Sequence, residues 1–471
     1  MQSTAYALTD AEIVRLLGPG DARPVHFVGI AGAGMSALAE LLVRRGVTVT
    51  GCDANLAGVG DLERLGVRMN AGHDAAHVET SRALVVTSAM PKTHPELERA
   101  RQLGIPVIRR AEALGAAVNG GRLVAVAGTH GKTTTTTMTT EALAAAGLDP
   151  TGVVGARVAA WLGNLRRGGD EVFVVEADEY DRSFLTLKPT VAVITNVEAD
   201  HLDIYTDLDD IRATFARFAA GARYVVLCAD DAGAMSVPLP ASAEVIRYGL
   251  SSPDARLVAR DVHLAAAGLG STCRVVFDGD DLGEMTLRVP GNHNLRNALA
   301  AVGSGLALGV SLAQMHAGLA AVQGAERRFQ HLGDRRGITV VDDYAHHPTE
   351  IEATLAAARA AYPGRRIVAA FQPHLYTRTR DFAAEFGRAL ARADVAFLAD
   401  LYPAREQPIP GVSSALIAAA ADRAGRAVQW QGARDALAAA LERAVQPGDV
   451  VITLGAGDIT KTGPELLERL G

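Results

Sequence analysis

Cysteine is scarce. The chain holds three, Cys52, Cys228 and Cys273, far apart and without a CxxC pair, which excludes a disulfide framework, argues against structural zinc and fits a reducing compartment. Positive charge is short as well. Lys and Arg total 46 against 53 Asp and Glu, for a net charge of −7 and a pI near 6.0. Such a balance leaves no electrostatic footprint for nucleic acid or an acidic membrane face. The first residues, MQSTAYALTDAEIVRLLGPG, lack a basic segment followed by an apolar run, so a secretory signal is not expected and the protein reads as cytoplasmic. A charge-free stretch between Arg296 and Glu326 is long enough to cross a bilayer. It is mostly Ala and Gly, is broken by GSG and GVS, and carries Gln314 and His316. That pattern predicts two short buried helices and no membrane insertion.

What is present is globular: 49% hydrophobic and 21% charged residues over 471 positions, too long a chain for one ordinary core. Short β-branched runs alternate with longer Ala/Leu-rich helical runs, the pattern of parallel α/β domains. A first block opens at VHFVGI and extends to about residue 118. A second opens at LVAVAG, includes VFVVEAD and VAVITN, and ends in alternating runs with Gly/Asp turns that read as a small antiparallel part. A third opens near ITVVDDYAHHPTE and ends at DVVITLGAGDIT. The expected architecture is α/β in three domains: residues 1–118 Rossmann-like, 119–324 a phosphate-loop domain with a mainly parallel sheet, and 325–471 Rossmann-like. In such sheets ligands bind beyond the carboxyl ends of the strands, where the polar clusters of this chain fall.

The segment VAVAGTHGKTTTT places Gly131, Lys132 and Thr133 as in a Walker loop, although Val126 stands where that motif has its first glycine. A strand, a GKTT turn and a helix in this order point to ATP with magnesium, held by backbone N–H groups, a lysine and a hydroxyl. An earlier turn, Gly29-Ile30-Ala31-Gly32-Ala33-Gly34, also follows a strand, and Asp53 ends the next one. Its glycines run GxxGxG, out of register with the dinucleotide fingerprint. It therefore reads either as a helix N-terminus offered to a nucleotide diphosphate or as a turn with no ligand.

Two acidic clusters close strands of the second block: Glu176, Asp178, Glu179 and Asp181, then Asn196, Glu198, Asp200, His201 and Asp203. Carboxylates beside a phosphate loop suit Mg²⁺, a hard cation, while others in such clusters serve as caps and solvated turns. Glu176, directly after an apolar strand, and His201 are the strongest candidates. Asn292, His293 and Asn297 open a helix and either read an adenine edge or cap it. The third block adds Arg327 and Arg328, then Asp342, Asp343, Tyr344, His346 and His347, then His374, Arg378 and Arg380. Nothing around the paired histidines supports zinc. The two arginines after a strand are placed to converge on phosphate or carboxylate.

Taken in order, GIAGAGMS, GTHGKTTTT, EADEYDRSFL, ITNVEADHLD, GNHNLRNALAA, RRFQ, DDYAHHPTE, FQPHLYTRTRDF and GAGDI resemble the Mur ligase family over nearly the whole chain. The resemblance implies ATP-dependent ligation of L-alanine to UDP-N-acetylmuramate through an acyl phosphate, in a monomer or homodimer whose domains close over the substrates. By position it assigns Gly128, Thr129, His130, Gly131, Lys132, Thr133 and Thr134 to the ATP phosphates, and Asn292, His293, Asn297, Arg327 and Asp343 to the rest of the nucleotide. Thr133, Glu176 and His201 fall to magnesium. Gly29, Gly32, Gly34, Met35 and Ser36 fall to the UDP-sugar, and Arg328, Tyr344, His347, His374, Arg378 and Arg380 to the muramate carboxylate and incoming alanine. Lys132, Glu176, His201 and Arg380 carry the catalysis. Relatives with a carbamylated lysine beyond the DH motif differ here, since IRATFARFA has no lysine. A peptide-adding recycling branch of the family is the second reading.

Overall fold

The computed structural model describes residues 8–57, 59–88, 90–201, 204–264, 270–404 and 406–471. Three sheets organise the chain. The first has β1 (Val25–Val28), β2 (Val49–Asp53), β3 (Arg68–Ala71), β4 (Ala83–Val86) and β5 (Val107–Arg109), in the order β3-β2-β1-β4-β5, all parallel. The order reverses between β1 and β4, so a crevice opens beyond the carboxyl end of β1, where the first glycine turn lies.

The second sheet runs from β6 (Arg122–Ala127) through β7 (Thr151–Val158), β8 (Gly163–Arg166), β9 (Val172–Glu176), β10 (Val191–Ile194), β11 (Tyr224–Cys228), β12 (Glu244–Gly249), β13 (Leu257–Leu264), β14 (Ser271–Phe277) and β15 (Asp280–Leu287). Its order is β15-β14-β13-β12-β11-β10-β6-β9-β7-β8. Strand β6 sits between β9 and β10, with Val126 opposite Glu176 and Ala127 opposite Ile194. This register delivers Glu176 and the Thr195–Asn196 turn to the edge where the phosphate loop leaves β6. From Leu123 to Ala127 every residue of β6 is buried, the continuous apolar run that a strand covered on both faces requires. The third sheet has β16 (Gln330–Arg335), β17 (Ile338–Asp343), β18 (Ile367–Phe371), β19 (Val395–Ala399), β20 (Trp430–Gly432) and β21 (Val450–Leu454), ordered β16-β17-β21-β18-β19-β20. Only β16 pairs antiparallel there.

By packing, the chain forms two compact units. One runs to Ala259 and takes in Val275–Gly283 and Arg296–Leu319; the other is built mainly on Ala320–Gly471. The threonine run forms the helix Lys132–Ala145. A β-branched run is a poor helix former, but here burial and internal bonding offset the propensity. Thr135, Thr136, Thr139 and Thr140 are fully buried, and the Thr137, Thr139 and Thr140 hydroxyls donate to carbonyls four residues back, at 2.9, 2.8 and 2.7 Å, which satisfies them without solvent. The charge-free stretch forms two helices, Asn292–Ala307 and Leu312–Ala321, separated at Gly309, whose φ is +81°. No helix among the described residues is long and apolar enough to cross a membrane.

Candidate active site

The phosphate loop is shaped by two glycines and by its neighbour strand. Gly131 caps the helix with φ +80°. Gly128 has φ +140°, and a Cβ there would stand 2.0 Å from Thr195 Oγ1. Asn196 holds the loop from the side: its Oδ1 accepts from His130 N at 2.7 Å, and its Nδ2 donates to His130 O at 3.1 Å. Thr195 Oγ1 donates to the same carbonyl at 2.7 Å, and Thr129 Oγ1 accepts from Glu198 N at 2.9 Å. The carbonyls are thereby tied down and the helix N-terminus is left to an anion. Asn297 also reaches this loop, since a Cβ on Gly131 would meet its Oδ1 at 2.7 Å.

Lys132 Nζ donates to Gly128 O at 2.7 Å and to both oxygens of Glu179, at 3.0 and 2.8 Å. Burial works against its charge, but Glu179, Asp178 and Glu176 outweigh that and raise its pKa, so the ammonium stays charged. Glu179 is itself buried and lies 3.8 Å from His201 Nε2. Sequence reasoning placed Glu179 in the acidic cluster but favoured Glu176; the ion pair to Lys132 became visible only through the fold. Thr133 Oγ1 donates to Glu176 Oε2 at 2.9 Å, and Gly155 N donates to the same oxygen at 2.7 Å. A hydroxyl and a carboxylate in contact at the loop are hard-oxygen donors that fit Mg²⁺ beside phosphate. His201 adopts φ +54° and packs its ring against Tyr180 at 5.1 Å. Asp203 lies outside the described residues.

The first glycine turn is also braced by a carboxylate. Asp53 Oδ2 accepts from Ala31 N at 3.0 Å, so this acid holds the turn itself. A cleft of about 280 Å³ runs from Gly32, Gly34 and Met35 past Thr87 and Arg110 to Gly155, Glu176 and Asp178. A Cβ on Gly34 would come within 3.0 Å of Arg110 Nη1. Arg110 was not among the expected residues; a cation directly after β5, at the carboxyl edge of the sheet, was the available signal.

In the second unit, Asp343 closes β17. Its carboxylate accepts from Phe329 N at 2.7 Å and Ala345 N at 2.8 Å, while the guanidinium carbons of Arg327 and Arg328 lie 4.9 and 5.1 Å from the Tyr344 ring. Tyr344, His346 and His374 form a run of ring contacts that ends at Tyr402. His347 is buried and packs on Phe382. Arg378 and Arg380 do not converge as two residues on an extended segment would. They lie on the helix Tyr376–Asp381, where a two-residue step turns about 200°. Arg378 is buried, whereas Arg380 is half exposed and paired with Asp381 at 2.7 Å.

Three family models cover most of the chain: the Mur ligase family catalytic domain over residues 24–122, the Mur ligase middle domain over 126–305 and the Mur ligase glutamate ligase domain over 327–457. The chain belongs to the Mur ligase family. Among its relatives is the UDP-N-acetylmuramate–L-alanine ligase of Acidothermus cellulolyticus, 47% identical over 94% of both chains. That of Cutibacterium acnes is 45% identical over 98% of both. The crystal structure of the UDP-N-acetylmuramate–alanine ligase of Thermotoga maritima is similar, with a TM-score of 0.79 and 28% identity over 95% of this chain and 98% of that one. A murein peptide ligase from Psychrobacter arcticus aligns with a TM-score of 0.69 and 26% identity over 96% and 99%. As a Mur ligase, the chain carries its phosphate loop, its acidic strand ends and its first glycine turn in one compact unit.

Burial pushes the Asp343 carboxyl up to about 6, against the pull of Arg328 and the two N–H donors. The folded protein therefore binds a proton here that the unfolded chain has released, and this group's contribution to stability falls as pH rises from about 4 to about 6, by at most about 3 kcal/mol. Urea unfolding of the wild type and Asp343→Asn across that window should show the wild type losing stability relative to the variant as pH rises; parallel profiles would refute it.

Proposed function

We propose that this Mur ligase uses ATP to join L-alanine to the lactyl carboxylate of UDP-N-acetylmuramate, a step of peptidoglycan precursor synthesis. The observation that carries this reading is the cleft that leads from the first glycine turn to Glu176, whose carboxylate touches Thr133 of the phosphate loop. A nucleotide-sugar held at the turn presents its acid towards the transferable phosphate. This separates the roles of the two loops: one holds the acceptor, the other the donor.

A carboxylate does not condense with an amine at neutral pH, so it must first be activated. A lactyl oxygen attacks the γ-phosphorus and ADP leaves; the alanine nitrogen then attacks the acyl carbon, phosphate leaves and the nitrogen loses a proton. Lys132 stabilises the charge on the moving phosphoryl group, and the backbone N–H groups of Gly128 to Thr134 orient it. Thr133, Glu176 and His201 would hold Mg²⁺, which would supply neutralisation of phosphate charge. Gly29, Gly32, Gly34, Met35 and Ser36 position the UDP-sugar. Asn292, His293, Asn297, Arg327 and Asp343 hold the nucleoside side of ATP, and Arg328, Tyr344, His347, His374, Arg378 and Arg380 orient the acid and the amino acid.

The test is phosphate release from ATP with UDP-N-acetylmuramate and each amino acid in turn. Release that requires both the sugar and alanine supports the proposal. Release with an alanyl peptide but not alanine would assign the chain to the recycling branch, and release without the sugar would make it a simple ATPase. Arg380→Ala is expected to lower kcat/KM by roughly 10²-fold if the arginine clamps substrate, and unchanged kinetics would remove it from the site.

A further inference from the structure

A second cluster of reactive side chains lies on the first sheet, and the ligation chemistry uses none of it. Cys52 on β2 and Glu96, in the first turn of the helix Pro95–Leu103, are fully buried, and the Cys52 sulfur is 3.1 Å from both Glu96 oxygens. His77 Nδ1 lies 2.8 Å from Glu96 Oε1. His26 on β1 is fully buried too. Its Nδ1 bonds Thr50 Oγ1 at 2.9 Å, while its Nε2 has no hydrogen-bond partner among the described residues and faces Glu96 Oε2 at 3.9 Å.

These contacts leave two things unbalanced. The Glu96 carboxyl group is out of water, and its partners are a thiol, the Asp74 N–H and imidazoles, with no Arg or Lys among the described residues. His26 carries a buried nitrogen whose hydrogen-bonding capacity is unmet among the described residues. That Nε2 is a nitrogen donor set beside the carboxyl group.

We infer that His26, Cys52, His77 and Glu96 form a binding site for a zinc-class transition metal, distinct from the magnesium position at the phosphate loop. One ligand atom from each of the four lies within 4.8 Å of the others. Ligands on a tetrahedral zinc ion stand roughly 3.3–3.8 Å apart; the contacts to Glu96 measure 2.8 to 3.9 Å and no pair exceeds 4.8 Å, so side-chain movements of about 1 Å or a little more bring the four to one ion. Two imidazoles, a thiolate and a carboxylate are the donor types zinc takes. On binding, the thiol loses its proton, and thiolate and carboxylate together cancel the charge of the divalent ion. Thr50 acts as the outer partner that orients the His26 ring. His73, whose Nδ1 is 3.2 Å from the same sulfur and whose side chain is 30% exposed, stands on the route in. The scarcity of cysteine hid this site, because its ligands come from separate strands and helices and not from a CxxC. Its place is also telling: Cys52 O accepts from Gly29 N at 2.8 Å and Ile30 N at 3.0 Å, so the metal would brace the first glycine turn.

The full-length protein, stripped with a chelator and kept free of nucleotide, should take up about one equivalent of Zn²⁺ and, with Co²⁺ instead, develop the near-ultraviolet charge-transfer band of a thiolate-bound ion. Cys52→Ser should abolish the band; Cys228→Ser and Cys273→Ser should leave it. X-ray absorption of the zinc-loaded wild type, which needs no variant to fold, should show one sulfur with nitrogen and oxygen neighbours. Failure to retain zinc, a Co²⁺ spectrum without a thiolate band, or a zinc shell without sulfur would each overturn the site and leave a hydrogen-bonded polar cluster.

Discussion

Lys132→Ala is expected to abolish ligation, with kcat lowered by about 10³-fold or more, since the group that meets the moving phosphoryl charge is lost. Its UDP-sugar affinity should remain near normal, because the first glycine turn is braced by Asp53 and not by Lys132. Stability will also suffer. Removing the ammonium leaves the buried Glu179 carboxylate without its partner, a change that costs about 3–5 kcal/mol for buried pairs. The double variant Lys132→Met with Glu179→Gln separates the two effects: it should recover most of the stability and none of the turnover. Single-turnover phosphate release and denaturant unfolding on the same preparations would measure both. Ligation at near-normal rate by either variant would remove Lys132 from the mechanism.

Gly128→Ala should be nearly as damaging, for a different reason. The position needs φ +140°, a region that side chains other than hydrogen rarely enter, and the added methyl would collide with Thr195 Oγ1. That hydroxyl holds the His130 carbonyl, so the loop must move and its N–H groups lose their common aim. ATP binding is expected to weaken by about 10²-fold or more and stability to fall by about 2–4 kcal/mol. Adding Thr195→Ala should recover only the steric part, since φ stays strained. Calorimetric ATP titration checks it; wild-type affinity in the single variant would mean the loop does not hold phosphate.

Much of this was legible in the residues because it depends on neighbours in the chain. Strand, glycine turn and helix are local, so VAVAGTHGKT and VHFVGIAGAG could be placed at the carboxyl ends of parallel strands from the sequence. The two helices within Arg296–Glu326 were readable from their glycine breaks. The arginines of TRTR were harder: taken as an extended pair they converge, but a helical turn sends Arg378 inward and Arg380 to solvent.

By itself, then, the sequence determined the α/β class, the succession of three sheets, the two phosphate-type turns and the family. Tertiary structure alone decided which acid partners Lys132, which cation lines the cleft, and that two histidines, a cysteine and a glutamate up to seventy positions apart share one buried centre. The reason is physical: backbone conformation follows from adjacent residues, whereas charge pairing and desolvation are set by strand order and register, which no short stretch of chain contains.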